Sequence, residues 1–227
     1  HVFPIDDRVI ERTNPAIAGR PDVMQGRTSL TLYDGMNGML ENTFLNVKNQ
    51  SKTITAEIDI PEGGANGVLL TQGGRFGGWC LYMKDSKPVY TYNFLGLSRN
   101  TVMAKTPISP GKAVVVLDFK YDGLGAATLA FGSPSGLGRS GTGYLKVDGK
   151  VVATQKMEKT VPMLMQWCES FDVGADTGSP VADEDYQTPF RFTGTLNKLT
   201  LTIDRPELSP EDIKKLETAM HNNPASD

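Results

Sequence analysis

Short segments of alternating apolar and polar residues, separated by glycine- and proline-rich turns, constrain the fold of this chain most. Between residues 51 and 60 the period is two, which is typical of a strand with one buried face. The apolar positions there are Ile54, Ala56, Ile58 and Ile60. A second run, 113–121, is dense in β-branched residues and predicts a central strand. Helical periodicity is almost absent, so the sequence predicts an all-β, antiparallel sandwich.

Two hairpins are predicted from local signals. Residues 79–84 and 88–94 form an aromatic-rich pair that turns at Asp85-Ser86-Lys87. Residues 144–147 and 150–153 are joined by Asp148-Gly149, a dipeptide that favours a two-residue turn between antiparallel strands.

The stretch 72–79, Gln-Gly-Gly-Arg-Phe-Gly-Gly-Trp, places two glycines on each side of Arg75 and Phe76. Glycine tolerates positive φ and lets another backbone come close. We therefore expect a tight, exposed presentation of Arg75 at an interface with residues 1–30 or with a neighbouring domain. The planar guanidinium group suits two-point binding of a carboxylate, for which Asp6 and Asp7 are candidates.

Several motifs resemble the C-terminal region of large bacterial arylsulfatases. They are QGGRFGGW (72–79), YNFLG (92–96), FDVGADTGSPV (171–181) and PFRFTGTLNKLTL (189–201). The opening FPIDDR (3–8) resembles the segment that follows the catalytic domain of that family, so the resemblance spans nearly the whole chain.

The resemblance implies a two-sheet jelly roll of the concanavalin A-like or laminin G-like type. It also implies that the chain is a non-catalytic C-terminal domain of an arylsulfatase-like hydrolase. Such a domain would pack on the upstream catalytic domain and shape its substrate entrance. The candidate residues for that interface or substrate mouth are Asp6, Asp7, Arg8, Gln72, Arg75 and Trp79.

The chemistry that the family uses is missing from this sequence. Sulfatases of this kind convert a Cys or Ser in a C/S-x-P-x-R motif to formylglycine and bind a divalent metal. Neither Cys80 nor Cys168 stands in such a motif, and the histidines are His1 and His221, one near each terminus. We therefore expect this chain alone to be inactive and to carry no cofactor, with formylglycine and metal in the absent domain.

The expected layout has three parts. Residues 1–50 are polar and interrupted by prolines, and are predicted to form an extended arm or linker from the absent upstream domain. Residues 51–205 form the sandwich. Residues 206–227 contain a short capping helix, for which Ser209 is a suitable N-cap and Pro210 a suitable first residue.

Two alternative functions start from other residues. Glu57, Asp59 and Glu62 match the E-x-D-x-x-E pattern of jelly-roll glycosidases, provided that a bulge after Ile60 returns Glu62 to the same strand face. Pro61 and the glycines that follow favour the end of the strand instead. A free-standing carbohydrate-binding module is the other alternative, with an aromatic platform formed by Trp79, Tyr82, Tyr90, Tyr92 and Phe94.

The acidic stretch 172–185 suggests calcium, which binds several oxygen ligands from a loop. Asp172, Asp176 and Asp183 are the candidate ligands. Aspartates also recur in loops because they cap turns through their own backbone. The sequence leaves both explanations open.

Composition excludes other partners. A formal net charge of −3 gives no basic footprint for nucleic acid or an anionic membrane surface. No stretch approaches the roughly 18 apolar residues of a membrane-spanning helix.

No export signal opens the chain, so any such signal is expected upstream or removed, and a periplasmic or secreted location is favoured over a cytoplasmic one. Cys80 and Cys168 allow one disulfide or two thiols.

Overall fold

A computed structural model describes residues 23–24, 26–123, 138–162, 169–204, 209–211 and 214. Nearly all regular structure in it is antiparallel strand, arranged in two sheets. This confirms the predicted fold class, an all-β sandwich of two antiparallel sheets. Within the described residues, no helix has the length and apolar character needed to cross a membrane.

The first sheet has six strands. In spatial order they are β1 (Ser29–Leu32), β11 (Thr195–Ile203), β2 (Lys52–Ile60), β7 (Gly111–Tyr121), β8 (Gly141–Val147) and β9 (Lys150–Met157). The two strands predicted most clearly, β2 and β7, pair along their length in the middle of this sheet.

The second sheet has five strands. In spatial order they are β10 (Phe171–Val173), β3 (Gly67–Gly74), β4 (Gly77–Lys84), β5 (Lys87–Phe94) and β6 (Ser98–Met103). A short 3-10 helix (Glu41–Thr43) precedes β2.

Both predicted hairpins are confirmed. Asp85 and Ser86 have φ values of 50° and 59°, and Lys84 pairs with Lys87, so β4 and β5 are joined by a two-residue turn. Asp148 and Gly149 have φ values of 47° and 81° and connect β8 to β9. Positive φ at both central residues matches the right-handed twist of the flanking strands.

The core lies between the sheets and receives alternate side chains from each. Because successive strand residues point to opposite faces, Trp79, Leu81 and Met83 enter the core while Cys80 and Tyr82 face outward. The largest fully buried side chains are Trp79, Tyr82, Tyr90, Tyr92 and Phe171. The aromatic hairpin is thus the centre of the packing.

Lys52, the first residue of β2, is buried in this core. Its Nζ lies 5.3 Å from the ring centroid of Trp79 and 4.9 Å from that of Phe119. It also donates a hydrogen bond to the carbonyl oxygen of Val47 at 3.3 Å. Burial, assisted by the charge of Lys48, lowers the pKa of Lys52 from 10.5 to about 7.

The segment that follows β10 covers the outer face of the five-stranded sheet. Tyr186 stacks on Phe190 with ring centroids 4.7 Å apart, and its ring lies 5.4 Å from that of Tyr82. Cys80 is buried in the same cluster, and burial raises the pKa of its thiol. Of the two alternatives, a disulfide or two thiols, the structure shows Cys80 as a free thiol, and Cys168 lies outside the described residues.

The predicted boundary between arm and sandwich at residue 51 is wrong. β1 pairs with β11, and Phe44, Leu45 and Val47 are buried in the core. A four-residue edge strand carries too few alternations to be recognised in a polar sequence. Residues 1–22 lie outside the described part.

At the C-terminal end, Pro210, Glu211 and Lys214 have helical backbone, and the rest of the predicted helix is not described.

Candidate functional site

Two segments that are about 100 residues apart in sequence meet at one end of the five-stranded sheet. Residues 72–79 form the end of β3, a turn at Arg75-Phe76 and the start of β4. Residues 171–181 begin with β10, in which Phe171 pairs with Gln72. The Arg75-Phe76 turn therefore projects from the sheet beside the loop that follows β10.

The glycines of this turn are required by the hairpin itself. Gly73, Gly77 and Gly78 have φ values of 80°, 145° and 151°, which side chains rarely allow. A Cβ atom on Gly73 would overlap the carbonyl of Gly77, and one on Gly78 would overlap the carbonyl of Gln72. The glycines do allow two backbones to approach closely, but the neighbouring backbone is the opposite strand of the same hairpin. An interface with residues 1–30 or with a neighbouring domain stays a prediction.

The loop after β10 holds the turn from one side. The hydroxyl oxygen of Ser179 accepts a hydrogen bond from the backbone N–H of Arg75 at 2.9 Å. The backbone N–H of Ser179 donates to the carboxylate of Glu169 at 3.2 Å. That carboxylate occupies the space that a side chain on Gly74 would need.

Asn93 holds the turn from the other side. Its buried amide nitrogen donates to the carbonyl oxygens of Gly74 and Arg75, each at 2.9 Å. Its amide oxygen accepts the N–H of Gly96 at 2.9 Å, which attaches the turn between β5 and β6 as well. We call the two joined turns the tip, which consists of Arg75, Phe76, Leu95, Gly96 and Leu97.

The tip carries an unusual amount of apolar surface. Phe76 is 82% exposed, Leu97 79% and Leu95 45%. Single exposed apolar residues are common on protein surfaces, but three large ones on adjacent turns point to contact with another molecule.

Arg75 and Arg99 share one carboxylate at the base of the tip. Nη2 of Arg99 lies 2.9 Å from Oδ1 of Asp183, and Nε of Arg75 lies 3.4 Å from Oδ2. The side chain of Arg75 stays half-exposed. Asp6, Asp7 and Arg8 lie outside the described residues, so pairing of Arg75 with that segment stays a prediction.

Gln72 and Trp79 are not available to a partner, which corrects the expectation that they belong to an interface or substrate mouth. Both are fully buried, and Nε1 of Trp79 donates to Oε1 of Gln72 at 2.8 Å. Strand alternation turns them toward the core, whereas Arg75 and Phe76 lie in the turn between them.

The predicted aromatic platform is also inside the protein. Trp79, Tyr82, Tyr90 and Tyr92 are buried, and Phe94 packs partly against the core. None of the four buried rings can stack on a sugar. The hairpin's aromatic alternation reflects packing on both faces of a covered sheet.

The three candidate calcium ligands do not converge. Asp172 accepts the backbone N–H of Gly38 at 2.8 Å and that of Thr177 at 3.0 Å, as a turn-capping aspartate does. Asp183 is directed to Arg75 and Arg99. Across the described ranges, no group of three or more His, Cys, Asp or Glu side chains is arranged to hold a metal ion. Calcium binding therefore stays a prediction of the sequence.

A polar cleft of about 200 Å³ lies beside the tip. Its lining consists of Gly73, Glu169, Ser170, Asp172, Asp176, Thr177 and Gly178. Burial raises the pKa of Asp176 to about 6, and the nearby charges of Asp172 and Glu169 act in the same direction. The hydroxyl of Tyr186 donates to Asp176 at 2.7 Å and opposes this shift. The cleft presents carboxylate oxygens that accept hydrogen bonds.

The glycosidase pattern is not assembled. Glu57 lies on the outer face of β2 and pairs with Lys198 at 3.1 Å. β2 and its pairing with β7 both end at Ile60, so the strand does not continue through the bulge that the pattern requires after that residue. Glu62 follows the strand in a turn closed by a 2.8 Å hydrogen bond from Gly64 to Pro61. Glu57 and Asp59 share one face of β2, but Glu62 lies beyond the end of the strand and does not join them.

Replacing both Glu57 and Glu62 with glutamine is expected to change the unfolding free energy by less than about 0.5 kcal/mol, because both side chains are exposed. Neither the parent nor the double variant is expected to release reducing sugar from a panel of glycans. Release by the parent that the double variant loses would contradict this prediction.

Three residues that build the tip were not identified from the sequence. Ser179, Glu169 and Asn93 act through hydrogen bonds to backbone atoms up to 104 residues away. The glycines at 73–78 signalled a constrained turn. No spacing rule reveals which distant side chains satisfy its backbone groups.

No protein-family model matches the sequence, and no curated protein matches it. Among solved structures, the chain is similar to the Ruminococcus gnavus IT-sialidase CBM40 bound to α2,3-sialyllactose, with 12% identity, TM-score 0.47, and coverage of 85% of this chain and 96% of that one. It is also similar to domains LG4-5 of the mouse laminin α1 chain, with 12% identity, TM-score 0.42, and coverage of 82% and 41%. With TM-scores below 0.5, these matches assign no ligand or activity to the chain.

Proposed function

We propose that this chain is the non-catalytic C-terminal β-sandwich of an arylsulfatase-like sulfuric ester hydrolase. In this role it packs on the catalytic domain and shapes the substrate entrance. The observation that supports the proposal is the tip: segments 72–79, 92–96 and 171–181, which resemble arylsulfatases separately, build this one exposed feature together.

The way the tip is held supports a role in contact. A buried asparagine, Asn93, binds three backbone groups to position it. Yet the side chains that this framework presents, Phe76 and Leu97, bury little within the sandwich. A turn that only connects two strands needs no such support.

Catalysis belongs to the partner domain in this proposal. Formylglycine and the divalent metal, which the resemblance implies for the whole hydrolase, would both lie there. This chain would contribute a rigid wall beside the substrate entrance. On that wall, the carboxylates that line the polar cleft and the guanidinium group of Arg75 can form hydrogen bonds with a substrate.

Two measurements test the proposal. The catalytic domain of the parent hydrolase, recognised by its C/S-x-P-x-R motif, is produced separately and mixed with this chain. Sedimentation velocity is expected to show a 1:1 complex, and the chain alone is expected to show no turnover of aryl sulfates with any divalent metal. Absence of a complex up to the solubility limit, or turnover by the repurified chain alone, would refute the assignment.

A free-standing carbohydrate-binding module is the second candidate. The cleft beside the tip favours it, because carboxylates and backbone groups in a recess can bind sugar hydroxyls. A glycan array probed with the isolated chain tests this candidate. Binding to a defined glycan without any complex with the catalytic domain would favour it over the first proposal.

A further inference from the structure

We propose that the tip is the docking surface of this domain and that its partner is a folded protein with an apolar recess bordered by a carboxylate. The inference rests on the proposed function, under which the partner is the sulfatase catalytic domain. It adds which residues form the contact and what chemistry the partner presents to them.

The tip has the side chains that interfaces use. Phe76 and Leu97 are the two most exposed of the large apolar side chains in the described part of the chain. Aromatic residues and arginine are enriched in protein interfaces, and a few such residues near the centre supply most of the binding energy. Phe76, with Arg75 next to it and Leu97 on the adjoining turn, fits that composition.

The tip is also fixed before any partner arrives. Asn93 and Ser179 bind the backbone of both turns, and Leu95 is held at φ 53° although it is neither glycine nor asparagine. This conformation is unfavourable for a residue with a side chain such as leucine, so the surrounding contacts must hold the turn in it. Because the turns are already ordered, docking loses little conformational entropy.

The polar groups of the tip favour a protein over a sugar. Sugar recognition needs several hydrogen-bonding groups that converge on the ligand. Here the N–H groups of Arg75 and Gly96 and the carbonyls of Gly74 and Arg75 are already paired within the domain. The outward surface is therefore mainly phenyl and isobutyl groups, which pack best against another apolar surface.

Charge supplies the second part of the recognition. Asp183 binds Arg99 at 2.9 Å but meets Arg75 through Nε at the longer distance of 3.4 Å. The ion pair of Arg75 with Asp183 is thus the longer of the two, and the side chain of Arg75 is half-exposed. A planar guanidinium group placed this way matches a carboxylate on the partner, at the edge of the apolar contact.

Surface variants test the docking surface. Phe76→Ser, Leu97→Ser and Arg75→Gln are each titrated against the catalytic domain by calorimetry. Val151→Ser is the matched control, because Val151 is exposed on the edge strand β9 of the other sheet. We expect each of the Phe76 and Leu97 variants to weaken the affinity at least tenfold, while the control binds like the parent. Arg75→Gln is expected to reduce the dependence of the affinity on salt concentration.

The outcomes separate this inference from the proposed function. Parent-like binding by the Phe76 and Leu97 variants would leave the proposed function intact and overturn the docking surface. No binding by the parent would overturn both. A tip variant that binds weakly and also melts below the parent has lost stability as well as contact. In that case Phe76→Leu is titrated instead, because it keeps the apolar character and is expected to restore most of the affinity. If the parent self-associates and the tip variants abolish this, the partner of the tip is a second copy of the chain. That result would overturn the catalytic domain as the partner.

Discussion

Replacing Gly78 with valine is expected to lower the unfolding free energy by about 3 kcal/mol or more. Gly78 has a φ of 151°, and a Cβ atom there would overlap the carbonyl of Gln72 on the opposite strand. The strained backbone and the forced separation of β3 from β4 each contribute on the order of 1–3 kcal/mol. Since this hairpin carries Trp79 into the core, separation also loosens packing there.

Urea unfolding followed by tryptophan fluorescence measures the effect, and Gly63→Val is its matched control. Gly63 lies in an exposed turn with ordinary φ, and a Cβ atom there would meet nothing within 4 Å. Its replacement is expected to change the unfolding free energy by less than about 0.5 kcal/mol. If the two variants unfold at the same urea concentration, the glycines at 73–78 are not needed for the hairpin.

Replacing Lys52 with methionine is expected to stabilise the domain by about 2–4 kcal/mol at pH 6. The pKa of Lys52 falls from 10.5 to about 7 on folding, mainly through burial, which corresponds to roughly 5 kcal/mol against the charged form. Part of the gain is offset because the ammonium group loses its contacts with Trp79 and Phe119. Methionine has a similar length and can fill the space without a charge.

The dependence on pH identifies the cause of this effect. Below about pH 7 both the folded and unfolded states bind the proton, so the full destabilisation is present. Between about pH 7 and 10.5 only the unfolded state binds it, so the stability of the parent rises with pH. We expect the advantage of Lys52→Met to shrink across this window. Lys112→Met, at an exposed position on the same sheet, is the control and is expected to follow the parent. An advantage that stays constant from pH 6 to 10 would contradict the assignment.

The sequence determined the strands and turns whose signals are local. The alternation at 54–60 predicted β2, and the β-branched run predicted β7. Asp148-Gly149 predicted the turn between β8 and β9. These signals are readable because strand alternation and turn conformation depend on neighbouring residues. The two-sheet sandwich followed from them, since many strands with one apolar face must cover one another.

The tertiary structure decided everything that depends on contacts between distant residues. Arg75 was expected to be exposed, but its anchoring by Ser179 and its pairing with Asp183 involve segments about 100 residues away. The same contacts direct the carboxylate of Asp183 to Arg75 and Arg99. Lys52 became a core residue because Trp79 and Phe119, on opposite sheets, enclose it. Alternation along a strand specifies which residues share a face, whereas the layer that covers that face is fixed only when the whole chain has packed.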